Sequence, residues 1–150
     1  MLTATRISDQ AEGALLGTVV LAFQDRYRRR IQLSMRDGTD FLLHLPEVQQ
    51  LGHGAFLICE TGCIQIEGAQ EAVLEIREPD PAKFAAIAWH LGNRHLPIQI
   101  LDAERLRLAD DPVIADMLRT LGTNPVSATA VFAPQGGAYG AGPTQGHSHG

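Results

Sequence analysis

The chain is poor in the features that mark membrane-spanning, exported and nucleic-acid-binding proteins. It has 150 residues with a formal net charge of −5, and neither half is basic, so general nucleic-acid binding has no electrostatic support. No apolar run approaches the roughly 20 residues that a membrane-spanning helix needs. The first residues lack the basic-then-apolar pattern of a signal peptide. We therefore expect binding to neither nucleic acid nor membrane.

Cysteine is scarce as well. The two cysteines, Cys59 and Cys63, have no second pair with which to form a structural zinc site. We expect buried, inert thiols in a reducing compartment, and therefore a cytoplasmic protein. The sequence also has no Walker A loop, His-Glu-x-x-His segment or Ser/His/Asp spacing. These absences favour a protein that is not an enzyme.

Short strand patterns fill residues 1–70. Arg30–Met35 alternates polar and apolar residues, Asp37-Gly38 is a hairpin turn, and Glu60-Thr61-Gly62 joins two further apolar segments. We predict an all-β domain of about six strands with no helix.

The pattern changes near residues 68–70. Asp80-Pro81 and Asp111-Pro112 each place an N-cap acid before a proline, and Gly92 and Gly122 are expected just past the ends of the two helices. The apolar stripe predicted for the second helix is Val113, Met117 and Leu121. The element order β-α-β-β-α-β predicts a ferredoxin-like domain over residues 71–134.

Residues 135–150 are rich in glycine, and we expect a flexible tail there. The predicted fold class is thus α+β: an all-β N-terminal domain, a ferredoxin-like domain and this tail.

The strongest candidate for chemistry is His95, which follows the first predicted helix. Imidazole is a common ligand of Ni, Zn and Cu(II), and a helix C-terminus favours a nearby cation. One histidine is a poor site, but a homodimer would bring two copies of His95 to one axis. His147 and His149 could add ligands from the tail. The alternatives are a solvated or capping His95 and a chance pair of histidines in the tail.

The neighbours of His95 are candidates for supporting roles. They are His90, Gly92, Asn93 and Arg94. We expect His90 to pack or to donate hydrogen bonds rather than to bind a metal.

A basic cluster lies in the first domain. It comprises Arg26, Arg28, Arg29 and Arg30. Such a run is usually a solvated strand face, and the alternative is a docking surface for an acidic partner protein.

The sequence resembles a known family at this point. Gly92-Asn93-Arg94-His95 after an Ala-rich helix looks like the signature of the urease accessory protein E family, the nickel metallochaperones of urease maturation. Further similar segments extend over nearly the whole chain: Asp25–Arg30 before Asp37-Gly38, Leu45-Pro46, Gly62–Ile66, Ala115–Leu118 before Gly122, and Phe132-Ala133-Pro134 before Gly137-Ala138-Tyr139.

The resemblance implies a partner-binding β domain and a metal-binding domain that dimerises. It implies that His95 of two subunits binds one Ni(II) as cargo, that tail histidines add ligands, and that the metal passes to the urease apoprotein through an accessory GTPase complex. Zn(II) or Cu(II) can bind the same imidazoles.

Two departures from the family pattern limit this expectation. Residues 107–111 lack the histidines that several family members carry before the second helix of the metal domain, so a secondary site there is in doubt. The tail has two histidines rather than a long run, so we expect one or a few ions per dimer. The competing hypothesis is a protein-interaction scaffold in an accessory complex, with incidental metal binding.

Overall fold

The computed structural model describes residues 1–135 of the chain. Contacts between these residues form two compact units, and the boundary lies between Ala69 and Gln70. The sequence pattern changes at the same place. The predicted flexible tail lies, apart from Gln135, outside the described residues. The predicted α+β class is confirmed.

The first unit is a curled six-stranded sheet. Its strands are β1 (Leu2–Ser8), β2 (Leu15–Leu21), β3 (Tyr27–Ser34), β4 (Asp40–Gln50), β5 (Phe56–Cys59) and β6 (Cys63–Gly68). Their order in the sheet is β2-β6-β5-β1-β4-β3. β1 pairs with β4, and β2 with β6, in parallel; the other pairs are antiparallel. The N–H of Arg36 donates to the carbonyl of Thr18 at 2.7 Å, which ties the edge strand β2 to the turn after β3.

The all-β prediction for this unit is correct in kind, with two differences. One turn of 3₁₀ helix, Phe23–Asp25, stands where no helix was expected. The apolar pattern after the Asp37-Gly38 turn predicts a strand over Phe41–Leu45 only, whereas β4 is longer and runs through Pro46 to Gln50. Proline has no N–H to donate to a ladder, and the pairing of β4 with β3 shifts register between Arg28 and Arg30.

The second unit has the element order β-α-β-β-α-β, as predicted. The elements are β7 (Gln70–Arg77), α1 (Pro81–Asn93), β8 (Gln99–Ile100), β9 (Arg105–Ala109), α2 (Pro112–Thr120) and β10 (Val126–Val131). The antiparallel sheet has the order β10-β7-β9-β8, which places the first and third strands of the unit at the centre as in a ferredoxin-like fold. Neither helix of the described chain is long and apolar enough to span a membrane.

The two helices bury apolar side chains with one face of this sheet. The core comprises Leu74, Ile76, Leu106 and Leu108 of the strands with Ile87, Leu91, Ile114, Ala115 and Leu118 of the helices.

The predicted stripe of α2 is wrong at Val113, which is 72% exposed while its neighbour Ile114 is buried. Met117 of the same stripe does pack against the core. A spacing of four residues fits both 113–117 and 114–118. Periodicity alone therefore did not decide which stripe faces the sheet.

Asp111 caps α2, and its removal should destabilise the second unit. The Asp111 carboxylate accepts hydrogen bonds from the N–H groups of Val113 at 2.8 Å and Ile114 at 3.3 Å. Asp111→Ala leaves these donors uncapped, so we expect the free energy of unfolding to fall by about 1 kcal/mol. Urea denaturation followed by helical circular dichroism measures this.

The control is Asp116→Ala on the same helix. Asp116 is exposed and forms only a surface ion pair with Arg119, so its loss should change stability by less than about 0.5 kcal/mol. Equal effects of the two substitutions would contradict the assigned cap.

Candidate metal centre

The end of α1 differs from the predicted one. The helix does not stop before Gly92 but continues to Asn93, with Arg94 as the C-cap. Gly92 has no positive φ and is therefore an ordinary helical residue. The residue just past the cap, where glycine usually stands, is His95.

Backbone hydrogen bonds around His95 form a Schellman motif. The N–H of His95 donates to the carbonyl of Gly92 at 2.9 Å, and the N–H of Leu96 donates to that of Leu91 at 3.1 Å. Leu96 packs against the same core cluster that contains the buried Leu91. An apolar contact between these two positions commonly accompanies the motif. The packing of Leu91 and Leu96 therefore fixes the residue at which the helix ends.

His95 has φ +60°, and no other non-glycine residue in the described part of the chain has a positive φ. α2 ends with the same pair of hydrogen bonds, from Gly122 to Arg119 and from Thr123 to Leu118. There the left-handed residue is Gly122, at φ +87°. A side chain in this region is disfavoured by about 1 kcal/mol. A histidine held there is an observation that points to function.

The His95 imidazole is accessible, since His95 and the two residues before it are exposed. His90 is half-buried, and its ring lies edge-on to Trp89 with 5.1 Å between ring centroids. The packing role expected for His90 stays a prediction.

A complete metal site is not present among residues 1–135. There, no three His, Cys, Asp or Glu side chains lie close enough together to hold a metal ion. His95 therefore needs ligands from elsewhere. The tail candidates His147 and His149 lie outside the described residues.

The chain leading to the tail is held beside the strand that follows His95. The N–H of Gln135 donates to the carbonyl of Ile98 at 2.8 Å. The side-chain oxygen of Gln135 accepts from the N–H of Ile100 at 3.1 Å. His147 is about 12 residues further on, a length that reaches at most about 40 Å. Chain length therefore allows a tail histidine to reach His95.

Two family models match this chain. The UreE urease accessory protein N-terminal domain matches residues 2–69, and the C-terminal domain of the same protein matches residues 71–150. The chain belongs to the UreE urease accessory protein family. The resemblance carried by the segment around His95 is thus confirmed at the level of the family.

Relatives of the UreE family align with most of the chain. A urease accessory protein UreE from Chelativorans sp. (strain BNC1) is 40% identical over 99% of this chain and 94% of its own length. One from Bradyrhizobium sp. (strain ORS 278) is 43% identical over 100% of this chain and 71% of its own length. One from Rhodopseudomonas palustris (strain HaA2) is 49% identical over 81% of this chain, and the match spans only 57% of that relative. All three are named as accessory proteins rather than as ureases.

The predicted basic cluster of the UreE N-terminal unit is smaller than expected. Arg26 is 1% exposed, and its guanidinium lies 6.0 Å from the centre of the Phe23 ring. Arg26 therefore cannot contribute to a docking surface. Arg28 is half-buried and pairs with Asp25 at 3.1 Å. Arg29 and Arg30 remain exposed on β3, and these two are the part of the cluster that a partner could contact.

His95→Gly and Gly122→His, at the ends of the two helices, should change the free energy of unfolding in opposite directions. His95→Gly removes a side chain from a left-handed position, so we expect the free energy of unfolding to rise by about 1 kcal/mol. Gly122→His introduces the same strain and should lower it by at least as much. Urea denaturation of both variants measures this. A destabilising His95→Gly would show that the His95 side chain stabilises the fold.

The two thiols should be unreactive in the native protein. Cys59 and Cys63 are both buried, as predicted. Burial, with a smaller contribution from the neighbouring Cys63, raises the pKa of the Cys59 thiol, so little thiolate is present at neutral pH. We expect slow alkylation by iodoacetamide in the native state and labelling of both thiols in urea at the same pH. Rapid labelling of the native protein would contradict this.

Proposed function

We propose that this protein is a nickel metallochaperone that binds Ni(II) between two copies of His95 and delivers it for assembly of the urease metallocentre. The observation that carries the proposal is the replacement of glycine by an exposed histidine at the left-handed end of α1. Glycine fills the equivalent position at the end of α2, so the backbone conformation does not itself require a side chain there. The strained position of His95 is therefore best explained by a role of its imidazole.

Histidine ligands suit a metal that must be handed on. Imidazole binds borderline cations such as Ni(II), and Zn(II) or Cu(II) can occupy the same ligands. The two thiols are buried, so they do not compete as exposed soft ligands. An exposed imidazole site can exchange its ligands with those of a recipient protein.

The site is proposed to form in a homodimer. One chain supplies one exposed histidine, His95, just past the end of α1, and the described residues complete no site around it. A two-fold axis brings a second copy of the same imidazole to the site without any further histidine in the sequence. His147 and His149 add ligands, and the tethering of Gln135 beside β8 keeps the start of the tail near β8.

The proposed recipients are the urease apoprotein and its accessory GTPase complex, in the cytoplasm. The names of the relatives support a urease accessory role. The exposed Arg29 and Arg30 suit an acidic partner surface. They also support the second candidate function, a scaffold in the same complex whose metal binding is incidental.

A nickel titration of the folded protein tests the site. Trp89 is the only tryptophan of the chain and lies six positions before His95, so its fluorescence should report a bound Ni(II). We expect saturable quenching for the unchanged protein and at least about tenfold weaker binding for His95→Gly. His44→Ala, at an exposed histidine of the first unit, is the control and should bind as the unchanged protein does.

Urease activation in cells separates the two candidate functions. A chaperone whose cargo site is His95 should lose most activation at limiting nickel on His95→Gly, although the variant folds. The scaffold hypothesis predicts full activation by His95→Gly and loss of activation on Arg29→Glu with Arg30→Glu. Full activation by His95→Gly would contradict the chaperone proposal.

A further inference from the structure

The chain after the last strand crosses the second unit from one edge of its sheet to the other. β10 and β8 are the two edge strands. Residues 132–135, which we call the strap, leave β10 and reach β8, where Gln135 is hydrogen-bonded to Ile98 and Ile100. Four residues span at most about 14 Å, and three strand spacings also measure about 14 Å. The strap therefore has little slack.

The strap starts on the face of the sheet that the helices leave uncovered. Leu106 and Leu108 of β9 belong to the core that the helices share, so Arg107 between them points to the opposite face. The guanidinium of Arg107 donates to the carbonyl of Val131 at 3.0 Å. Phe132, the first residue of the strap, is 2% exposed. Arg107 thus holds the chain at the point where it leaves β10.

Arg107 is the centre of a network that joins three strands to the strap. Glu75 stands directly opposite it on β7, and the two side chains form an ion pair at 2.6 Å. Towards β8, the guanidinium donates to the side-chain oxygen of Gln99 at 3.5 Å. The same oxygen accepts from the N–H of Ala133 at 2.9 Å. Arg107 and Gln99 therefore bind the strap at two successive points.

The far end of the strap covers the outer edge of β8. Gln135 donates its own N–H to Ile98 and accepts from Ile100 with its side-chain oxygen. That oxygen takes the place of a strand carbonyl, so both backbone groups of this edge are paired without another strand. The tail continues from the residue that makes these bonds.

We infer that Arg107 is a positioning residue for the tail histidines, because it holds the strap across the sheet and so makes the tail start at β8 rather than at β10. The inference rests on the proposed function for the role of the tail. Ile98 is three residues after His95, at most about 11 Å of chain. A tail that started at β10 would begin about 14 Å away across the sheet.

The expected consequence is a higher effective concentration of the tail histidines at His95. His147 is 12 positions after Gln135, and a flexible chain of that length has a root-mean-square span of roughly 19 Å. Release of the strap lengthens the tether to 16 residues, counted from Val131, and moves its origin across the sheet. The effective concentration of a tethered ligand falls with both changes. We therefore expect release to weaken nickel binding about threefold.

Arg107→Lys tests whether Arg107 holds the strap. The ammonium keeps the charge beside Glu75 but lacks the fork of donors that also reaches Val131 and Gln99. Amide hydrogen exchange, followed by NMR without metal, should show faster exchange of the Gln135 N–H in this variant. Unchanged exchange would overturn the inference.

The matched control is Arg105→Lys on the same strand. The guanidinium of Arg105 pairs with Asp102 at 2.8 Å, and this exposed pair lies at the turn between β8 and β9. Arg105→Lys should leave both the exchange of the Gln135 N–H and the nickel affinity as they are in the unchanged protein.

Nickel titrations with and without the tail histidines separate positioning from a merely structural role. Arg107→Lys should bind nickel about threefold more weakly than the unchanged protein. In the full-length background His147→Ala with His149→Ala, the same substitution should leave nickel affinity unchanged. Equal weakening in both backgrounds would overturn the inference. So would a variant that frees the strap and binds nickel as tightly as the unchanged protein.

The inference and the proposed function fail on different results. If removal of both tail histidines leaves nickel affinity unchanged while His95→Gly loses it, the metal site stands and the inference falls. If His95→Gly binds nickel as the unchanged protein does, the metal site at His95 falls. Faster exchange of the Gln135 N–H in Arg107→Lys would in that case still show that Arg107 holds the strap.

Discussion

The way α1 ends is the constraint from which the candidate site follows. A Schellman motif needs one residue in the left-handed region, and the burial of Leu91 with the packing of Leu96 against the same core fixes which residue that is. His95 occupies the position, so its imidazole stands outside the helix on a backbone that cannot shift by one residue without unpacking a leucine. The backbone of a histidine in an ordinary loop would not be held in place in this way.

The fold adds a second element to the same region. The short strand β8 follows the helix end, and the segment after β10 is hydrogen-bonded to it through Gln99 and Gln135. The start of the tail is thus held near the chain that leaves His95. The ferredoxin-like unit in this way brings the segment that follows its last strand, β10, to β8, the short strand that follows the end of α1.

Sequence reasoning recovered the features that are local and missed those set by packing. The caps at Asp80 and Asp111 could be predicted because a carboxylate before proline has one ordinary use at a helix start. The sequence predicts Gly92 just past the helix end because a helical glycine and a terminating glycine look alike in a sequence, and only the hydrogen bonds of His95 and Leu96 distinguish them. Arg26 looks like a surface residue in the sequence because nothing local distinguishes it from the arginines beside it. Only the folded chain shows that its guanidinium is buried near the Phe23 ring.

Native mass spectrometry of the protein with limiting nickel tests the central claim most directly, because it reports the oligomer and the metal content of the same particles. The account predicts one tightly held Ni(II) for two chains, and dimers of His95→Gly that hold none. One nickel bound per isolated chain, or an unchanged metal content in His95→Gly, would contradict a site shared between two copies of His95.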